Sequence, residues 1–239
     1  MDKFNYLEHY QKDAVEFDYF EERTKATAHE ERRVREYLIS KVPKSVSSIL
    51  DVGCGRAWVA EKFIQKGVKV VSLDISLTNP LKAIKKYPAK NHIGVVADSF
   101  TLPFPEESFD CVIASEIIEH VIDPKKFVAE LLRVVKKKGS LIISTPYKEK
   151  IQYYLCVHCN ELTPVNAHLH SFDEKKLGSY SDREKIDYSY FTFGNKALTY
   201  FLTYVVLRYF PFWLWKLKDR FANLIYNKPL HIIAVYKKK

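Results

Sequence analysis

Apolar residues fall along the chain in short runs that alternate with longer stretches of helical spacing. Residues 25–41, KATAHEERRVREYLISK, carry Val34, Tyr37 and Leu38 at helical intervals, and SVSSILDVG then reads as a short buried strand around Ile49, Leu50 and Val52. WVAEKFIQKG predicts a helix stopped by Gly67, and VKVVSLDIS a second strand. NPLKAIKKYP predicts a short helix bounded by prolines, HIGVVADSF a third strand and SFDCVIAS a fourth. DPKKFVAELLRVVKKKG predicts an amphipathic helix with Asp123 as its cap, Pro124 first and Gly139 at its end; SLIISTP is the fifth strand. Strands alternating with helices predict an α/β fold with a doubly wound parallel sheet.

Beyond Pro146 the pattern changes. Residues 156–170 form a Cys/His-rich loop, DEKKLGSYSD predicts one more helix, and KIDYSYFTFG and PLHIIAVYKKK predict two final strands. If those two pair, residues 196–227, aromatic and basic, are an insertion in their hairpin. A connection that is normally tight gains such a length for function. The expected plan is a single domain over 1–239: an N-terminal helical cap at 1–45, a cofactor-binding core at 46–147, the Cys/His loop and the insertion.

Composition narrows the partners. Lys and Arg outnumber Asp and Glu by 38 to 29, a formal charge of +9, which favours nucleic acid, phospholipid surfaces or acidic substrates without choosing among them. The N-terminus MDKFNYLEHYQKDAVEF is charged and has no apolar signal region, and four cysteines make no disulfide framework. A reduced, cytoplasmic protein is expected.

The glycine pair of LDVGCGRAW, residues 50–58, raises the question of a nucleotide. A dinucleotide fingerprint needs a third small residue where this chain has Trp58, which argues against NAD or FAD. Ligands of open α/β sheets bind at the carboxyl ends of the strands. Asp51, Gly53 and Gly55 follow strand one, Asp74 ends strand two, Asp98 and Ser99 end strand three, and Ser115 and Glu116 end strand four. Polar residues at four strand ends in register point to one ligand.

ILDVGCGRAWVAE, VVSLDIS, GVVADSFTLPFPEESFDCVIASEIIEHVIDP and ELLRVVKKKGSLIISTP, in that order, resemble the successive motifs of class I S-adenosylmethionine-dependent methyltransferases over roughly residues 30–147. The resemblance implies a Rossmann-like, mostly parallel seven-stranded sheet with an antiparallel last strand. It implies that Gly53 and Gly55 face the methionine moiety, Asp74 the ribose and Asp98 the adenine amino group. Asp51, Ile75, Ser99 and Ser115 complete the implied cofactor set. Ala57 stands where the family often has a further glycine.

SEIIEHV follows strand four, where a methyl acceptor would approach the sulfonium. On one helical turn Glu116 and Glu119 would share a face with His120 nearby. The segment resembles the matching stretch of the ubiquinone-pathway O-methyltransferases of polyprenyl catechols, which implies a divalent cation on Glu116, Glu119 and His120. The other reading gives His120 an acid/base or positioning role. Cys156, Cys159, His168 and His170, spaced C-x2-C-x8-H-x-H, suit tetrahedral zinc; the alternative is an ordinary loop before a helix.

From Ala197 to Trp215 only Arg208 is charged, but Pro211 interrupts the run, so the segment is too broken to span a membrane. Phe210, Phe212, Trp213 and Trp215 beside Arg208, Lys216, Lys218 and Arg220 read as a peripheral membrane contact, or as a lid or dimer patch. The leading expectation is a methyltransferase for a small hydrophobic acceptor of quinone, isoprenoid or lipid-like type, with O-methylation favoured. The alternatives are an RNA methyltransferase, disfavoured by the lack of a separate RNA-binding segment, and a binding protein on the same fold.

Overall fold

The computed structural model describes residues 4–182, 184–200 and 204–239. Residues 1–3 of the expected cap and 201–203 of the expected insertion lie outside them. The cap is two helices. α1 (Tyr6–Glu16) starts where the Asn5 side chain accepts from the Glu8 N–H, and α2 (Lys25–Lys41) where Thr24 accepts from Thr27. These caps satisfy donors that a first helical turn leaves unpaired.

The core alternates as the periodicity predicts. β1 (Ser48–Val52) is buried throughout and is followed by α3 (Trp58–Phe63), a 3-10 turn Ile64–Lys66, and Gly67 in the left-handed region. Then come β2 (Lys69–Asp74), α4 (Thr78–Lys86), β3 (His92–Val96), β4 (Phe109–Ser115) and α5 (Pro124–Val134), with Asp123 capping α5 through Lys126. β5 (Val135–Pro146) starts at once. The helix therefore ends at Val134 and not at Gly139, the expected stop. Lys136–Lys138 pass into the strand, and a Cβ on Gly139 would sit 2.8 Å from the Asp110 carbonyl oxygen. Gly139 allows a close approach beside an irregular stretch of the β4–β5 ladder rather than ending a helix.

Next are a small hairpin, β6 (Tyr153–Leu155) and β7 (Leu162–Pro164), then α6 (Glu174–Gly178) and β8 (Ile186–Asn195). The insertion forms α7 (Lys196–Tyr200), α8 (Tyr204–Leu207) and α9 (Phe212–Ile225), and β9 (Pro229–Lys238) closes the sheet. The seven strands run in the order β3-β2-β1-β4-β5-β9-β8. β1 through β5 pair in parallel, while β9 is antiparallel to both β5 and β8. Thus the last two strands do pair, and the insertion is their connection.

Two cores flank the sheet. Phe127, Val128 and Leu131 of α5 and Leu177 of α6 pack on one face with Leu50, Val71 and Leu141. Val34 and Leu38 of α2, Val59 and Phe63 of α3 and Ala83 of α4 pack on the other with Ile49, Val70 and Ile233. Covering both faces makes central strands read as continuous apolar runs, and it leaves the strand ends to carry the polar residues.

Candidate active site

The loop after β1 is built for close approach. Gly53 and Gly55 have φ of 66° and 43°, and a Cβ on Gly53 would lie 2.3 Å from Ile117 Cδ1. Ala57, buried, has φ of 55°, the left-handed conformation that glycine adopts without penalty. This backbone shows why a glycine is common at that position. The Cys54 N–H donates to the Leu73 carbonyl at 2.9 Å, tying the loop to the end of β2.

Asp74, at that end, is buried and accepts from the Ser76 N–H at 3.1 Å and the Asn79 amide at 3.1 Å. Burial raises its pKa, and these hydrogen bonds oppose the rise. Ile75 follows it, half-buried. Asp51 is 2% exposed, and its Oδ2 has no hydrogen-bond partner among the described residues. Burial, with Asp74 second, pushes its pKa well up. An orphaned buried oxygen beside a glycine cradle fits a ligand that brings its own donors. Asp98 accepts from the Phe100 N–H at 2.9 Å through Oδ1 and from the Tyr6 hydroxyl at 2.5 Å through Oδ2, with Ser99 half-buried beside it. Ser115 Oγ lies 3.1 Å from Ser144 Oγ.

The N-terminal segment thus roofs these strand ends. Besides Tyr6 on Asp98, the Tyr10 hydroxyl donates to the His120 carbonyl at 3.2 Å, and Tyr19 packs against Gly55. None of these tyrosines was among the expected site residues. Their signal was Tyr6 and Tyr10 four apart, on one face of a helix.

The E-x-x-E-H segment is a turn, not a helix. Glu116 has φ of 55°, which breaks the helical path and sends its carboxylate away from the expected grouping. It faces His231 of β9, 3.6 Å from Nδ1, while His231 Nε2 lies 3.0 Å from Glu30 of α2. Burial opposes a charge on His231, but the two carboxylates overcome it and raise its pKa to about 10. The trio Glu30–His231–Glu116 was missed in the sequence. Its one signal was a histidine within the apolar run PLHIIAVY.

Glu119 is buried, and its Oε2 accepts from Thr145 at 2.9 Å. Burial and the nearby Glu116 push its pKa well up. Burial, with His168 second, lowers the pKa of His120 to about 4, so its ring is neutral at pH 7. His120 Nδ1 lies 3.3 Å from the Ala167 carbonyl, an acceptor, so Nδ1 carries the proton and Nε2 holds the free lone pair. The His168 ring sits 4.8 Å from that of His120, with Nδ1 2.5 Å from Glu149.

These positions change both expected metal sets. Among the described residues, the one set of three or more candidate ligands with ligand atoms within 4.8 Å of one another is Glu119, His120 and His168. His168 takes the place expected of Glu116. The zinc set Cys156, Cys159, His168 and His170 does not converge. His168 is committed to Glu149 and His120, His170 packs on Phe172, and the cysteines lie on the β6–β7 hairpin.

Two cavities open around Glu30 and His231. A cleft of about 880 Å³ is rimmed by Lys148, Lys150, Lys196 and Lys228, with Glu149 and Gln152. A pocket of about 230 Å³ lies between α2 and the insertion, lined by Ala26, Phe193, Leu207 and Trp215. Glu30, Leu230 and His231 line both. The first is thus rimmed by cations, and the second is lined largely by apolar side chains, with Arg33 and His29 among them.

Residues 50–143 match the family model described as a methyltransferase domain. The ubiquinone biosynthesis O-methyltransferase of Bradyrhizobium sp. (strain ORS 278) is 35% identical over 99 residues, 41% of this chain and 39% of that protein. The mitochondrial enzyme of the same name from Dictyostelium discoideum is 30% identical over 162 residues, 59% of this chain and 50% of that protein. The chain thus spans half or less of these two relatives. The crystal structure of an S-adenosylmethionine-dependent methyltransferase from Mesorhizobium loti superposes with a TM-score of 0.63 at 15% identity, covering 88% of this chain and 100% of that one. That likeness shows the fold: a Rossmann-like, mostly parallel sheet.

Proposed function

We propose that this chain, whose residues 50–143 match the methyltransferase-domain model, transfers the methyl group of S-adenosylmethionine to an oxygen of a small, partly apolar acceptor. The observation that carries the reading is the convergence of the Gly53–Gly55 cradle, Asp74 and Asp98 at adjacent strand ends, with His120 and Glu119 beside them. In this reading Gly53 and Gly55 pass close to the methionine moiety, Asp74 accepts from the ribose hydroxyls and Asp98 from the adenine amino group. Asp51, Ile75, Ser99 and Ser115 shape the rest of that pocket. The bound cofactor supplies a methyl group on a sulfonium, already a good leaving group.

The chain's own task is then to place and deprotonate the acceptor. A phenol has a pKa of about 10 and needs a base at neutral pH. His120, neutral and with Nε2 free, can take that proton. Glu119, His120 and His168 are the residues that would hold a divalent cation; Nε2 of His120 would then be a ligand rather than a base, and the cation would ease deprotonation by lowering the pKa of a coordinated hydroxyl. Their spacing and the buried, unfavourably charged Glu119 carboxyl both fit a cation. The names of the relatives support an oxygen acceptor of quinone type. The two cavities suit an acceptor with an apolar arm toward Leu207 and Trp215 and an acidic end toward the lysines.

The outer face of α9 extends the proposal to a peripheral membrane contact. Trp213, Leu217, Phe221 and Leu224 are exposed there, and no helix among the described residues is long and apolar enough to cross a membrane. A helix of this kind lies on a bilayer, where a lipid-soluble acceptor resides.

Calorimetry with S-adenosylhomocysteine and a methyl-transfer assay on a short-chain prenyl catechol test the reading. Asp74→Ala should weaken binding about ten-fold or more, since hydrogen bonds to a charged group are worth ~1.5–3 kcal/mol. His120→Ala should lower turnover and leave that binding intact. An unchanged dissociation constant in Asp74→Ala overturns the ribose assignment, and full turnover in His120→Ala overturns the base.

A further inference from the structure

The lysine-rimmed cleft opens at the same end of the sheet as Asp74 and Asp98. β1 to β5 run in parallel and β9 runs the other way, so the last residue of β5 meets the start of β9, with Pro146 opposite His231. Lys148 and Lys150 enter the wall just beyond β5, Lys228 just before β9, and Lys196 just past β8. The cleft therefore lies one strand beyond Ser115 at the end of β4. Glu149 joins it to the acceptor side: this residue lines the wall, and its carboxylate lies 2.5 Å from His168, whose ring packs on that of His120.

The wall carries more positive charge than it neutralises. Its two carboxylates both face imidazoles, Glu30 at 3.0 Å from His231 and Glu149 at 2.5 Å from His168. Lys148 has Glu174 at 3.5 Å. Lys150 and Lys228 are exposed and have no ion-pair partner among the described residues. Like charges around one cleft repel, and a dianion relieves more of that repulsion than a single carboxylate does. Lysine ammonium groups act on phosphate as point charges and need no fixed fork geometry.

The wall does not suit a nucleic-acid strand. Grooves for single strands combine cations with aromatic platforms on which successive bases stack. Here the one Phe, Tyr or Trp on the wall is Tyr147, and the Lys148 ammonium covers its ring at 4.7 Å. Glu30, Leu230 and His231 instead share the cleft with the 230 Å³ pocket, where Phe193, Leu207 and Trp215 offer apolar surface. A small molecule with a phosphate at one end and an apolar body at the other matches both.

We infer that the methyl acceptor carries a phosphate or diphosphate group on an apolar body, with the phosphate held by Lys148, Lys150 and Lys228 and the body directed toward Leu207 and Trp215. This rests on the methyl-transfer reading and narrows its acceptor class.

The test is calorimetry on the full chain with octyl phosphate, inorganic phosphate and octanol as probes. Octyl phosphate should bind more tightly than either of the others, and saturating S-adenosylhomocysteine should not displace it. Lys150→Gln with Lys228→Gln should weaken octyl phosphate about ten-fold or more, since hydrogen bonds to charged groups are lost. The same variant should keep its circular dichroism and its affinity for S-adenosylhomocysteine. Trp213→Ser with Phe221→Ser, on the outer face of α9, should leave octyl phosphate binding unchanged. Octyl phosphate no tighter than octanol, an affinity kept in the lysine variant, an affinity lost in the α9 variant, or displacement by S-adenosylhomocysteine would each overturn the inference. A short single-stranded RNA that binds more tightly than octyl phosphate, and loses that affinity in the lysine variant, would overturn it too. A chain that binds S-adenosylhomocysteine but not octyl phosphate overturns the phosphate acceptor alone. One that binds octyl phosphate but not S-adenosylhomocysteine overturns the methyl-transfer reading, and the acceptor assignment with it.

Discussion

At the residue scale, His231 links three distant parts of the chain: α2 through Glu30, the turn after β4 through Glu116, and β9 itself. Its pKa rises from 6.5 to about 10 on folding. The folded state therefore binds a proton more tightly than the unfolded chain. The resulting stability is fully present below pH 6.5 and is lost as pH rises through about 10. His231→Gln should remove that falling limb from a plot of unfolding free energy against pH. At neutral pH it should also cost about 1–3 kcal/mol, because the half-buried Glu116 carboxylate loses its charged partner. Chemical denaturation from pH 6 to pH 10 measures both, and parallel profiles for the two proteins would contradict the assignment. None of this was legible in the sequence, where His231 is a polar interruption in a strand. The acids at the strand ends were legible, since each follows an apolar run.

Among the elements, α9 departs most from the usual amphipathic plan. Its inward face buries Trp215 and Asp219, and the Asp219 carboxylate accepts from the Gly194 and Asn195 N–H groups at 3.1 and 2.7 Å. Trp213, Leu217, Phe221 and Leu224 repeat at helical spacing on the outward face, with Lys216 and Lys218 to either side. A surface helix normally turns its apolar stripe to the core; this one has a second stripe outside. Trp213→Ser with Phe221→Ser should therefore lower partitioning onto anionic vesicles about a hundred-fold or more, at ~1.5 kcal/mol or more for each of the two aromatic side chains. Sedimentation measures the loss, added salt should release part of the parent protein, and binding of S-adenosylhomocysteine should not change. A parent protein that ignores anionic vesicles would leave α9 as a lid or a contact between copies. Composition alone marked residues 196–227 as interfacial. It did not separate the inward Trp215 from the outward Trp213, because that depends on which face meets α2 and β8.

For the whole molecule, the insertion is held to the sheet by a buried charge. Arg33 of α2, 2% exposed, donates to the Leu207 carbonyl at 2.6 Å and the Phe210 carbonyl at 3.0 Å, and pairs with Glu36 at 2.7 Å. Its guanidinium lies 5.0 Å from the Trp215 ring. Arg33→Met keeps the apolar stem and removes every donor, so about 3 kcal/mol should be lost, a fall in Tm of ~6–12 °C for a chain of this size. Limited proteolysis should then cut near residues 204–211 before the core; equal cleavage in parent and variant would show that the insertion is held by other contacts. The sequence by itself determined the order of strands and helices, the parallel core and the residues at its strand ends. Those follow from local periodicity, caps and glycines, which act within a few residues. Tertiary structure alone decided that α1 roofs the strand ends at Asp98 and that Glu116 pairs with His231 while Glu119 and His120 meet His168. It also decided that the cysteines stand apart from the histidines expected to join them. Such groupings depend on side chains far apart in sequence, and on single backbone angles such as that of Glu116, which a hydrophobic pattern does not encode.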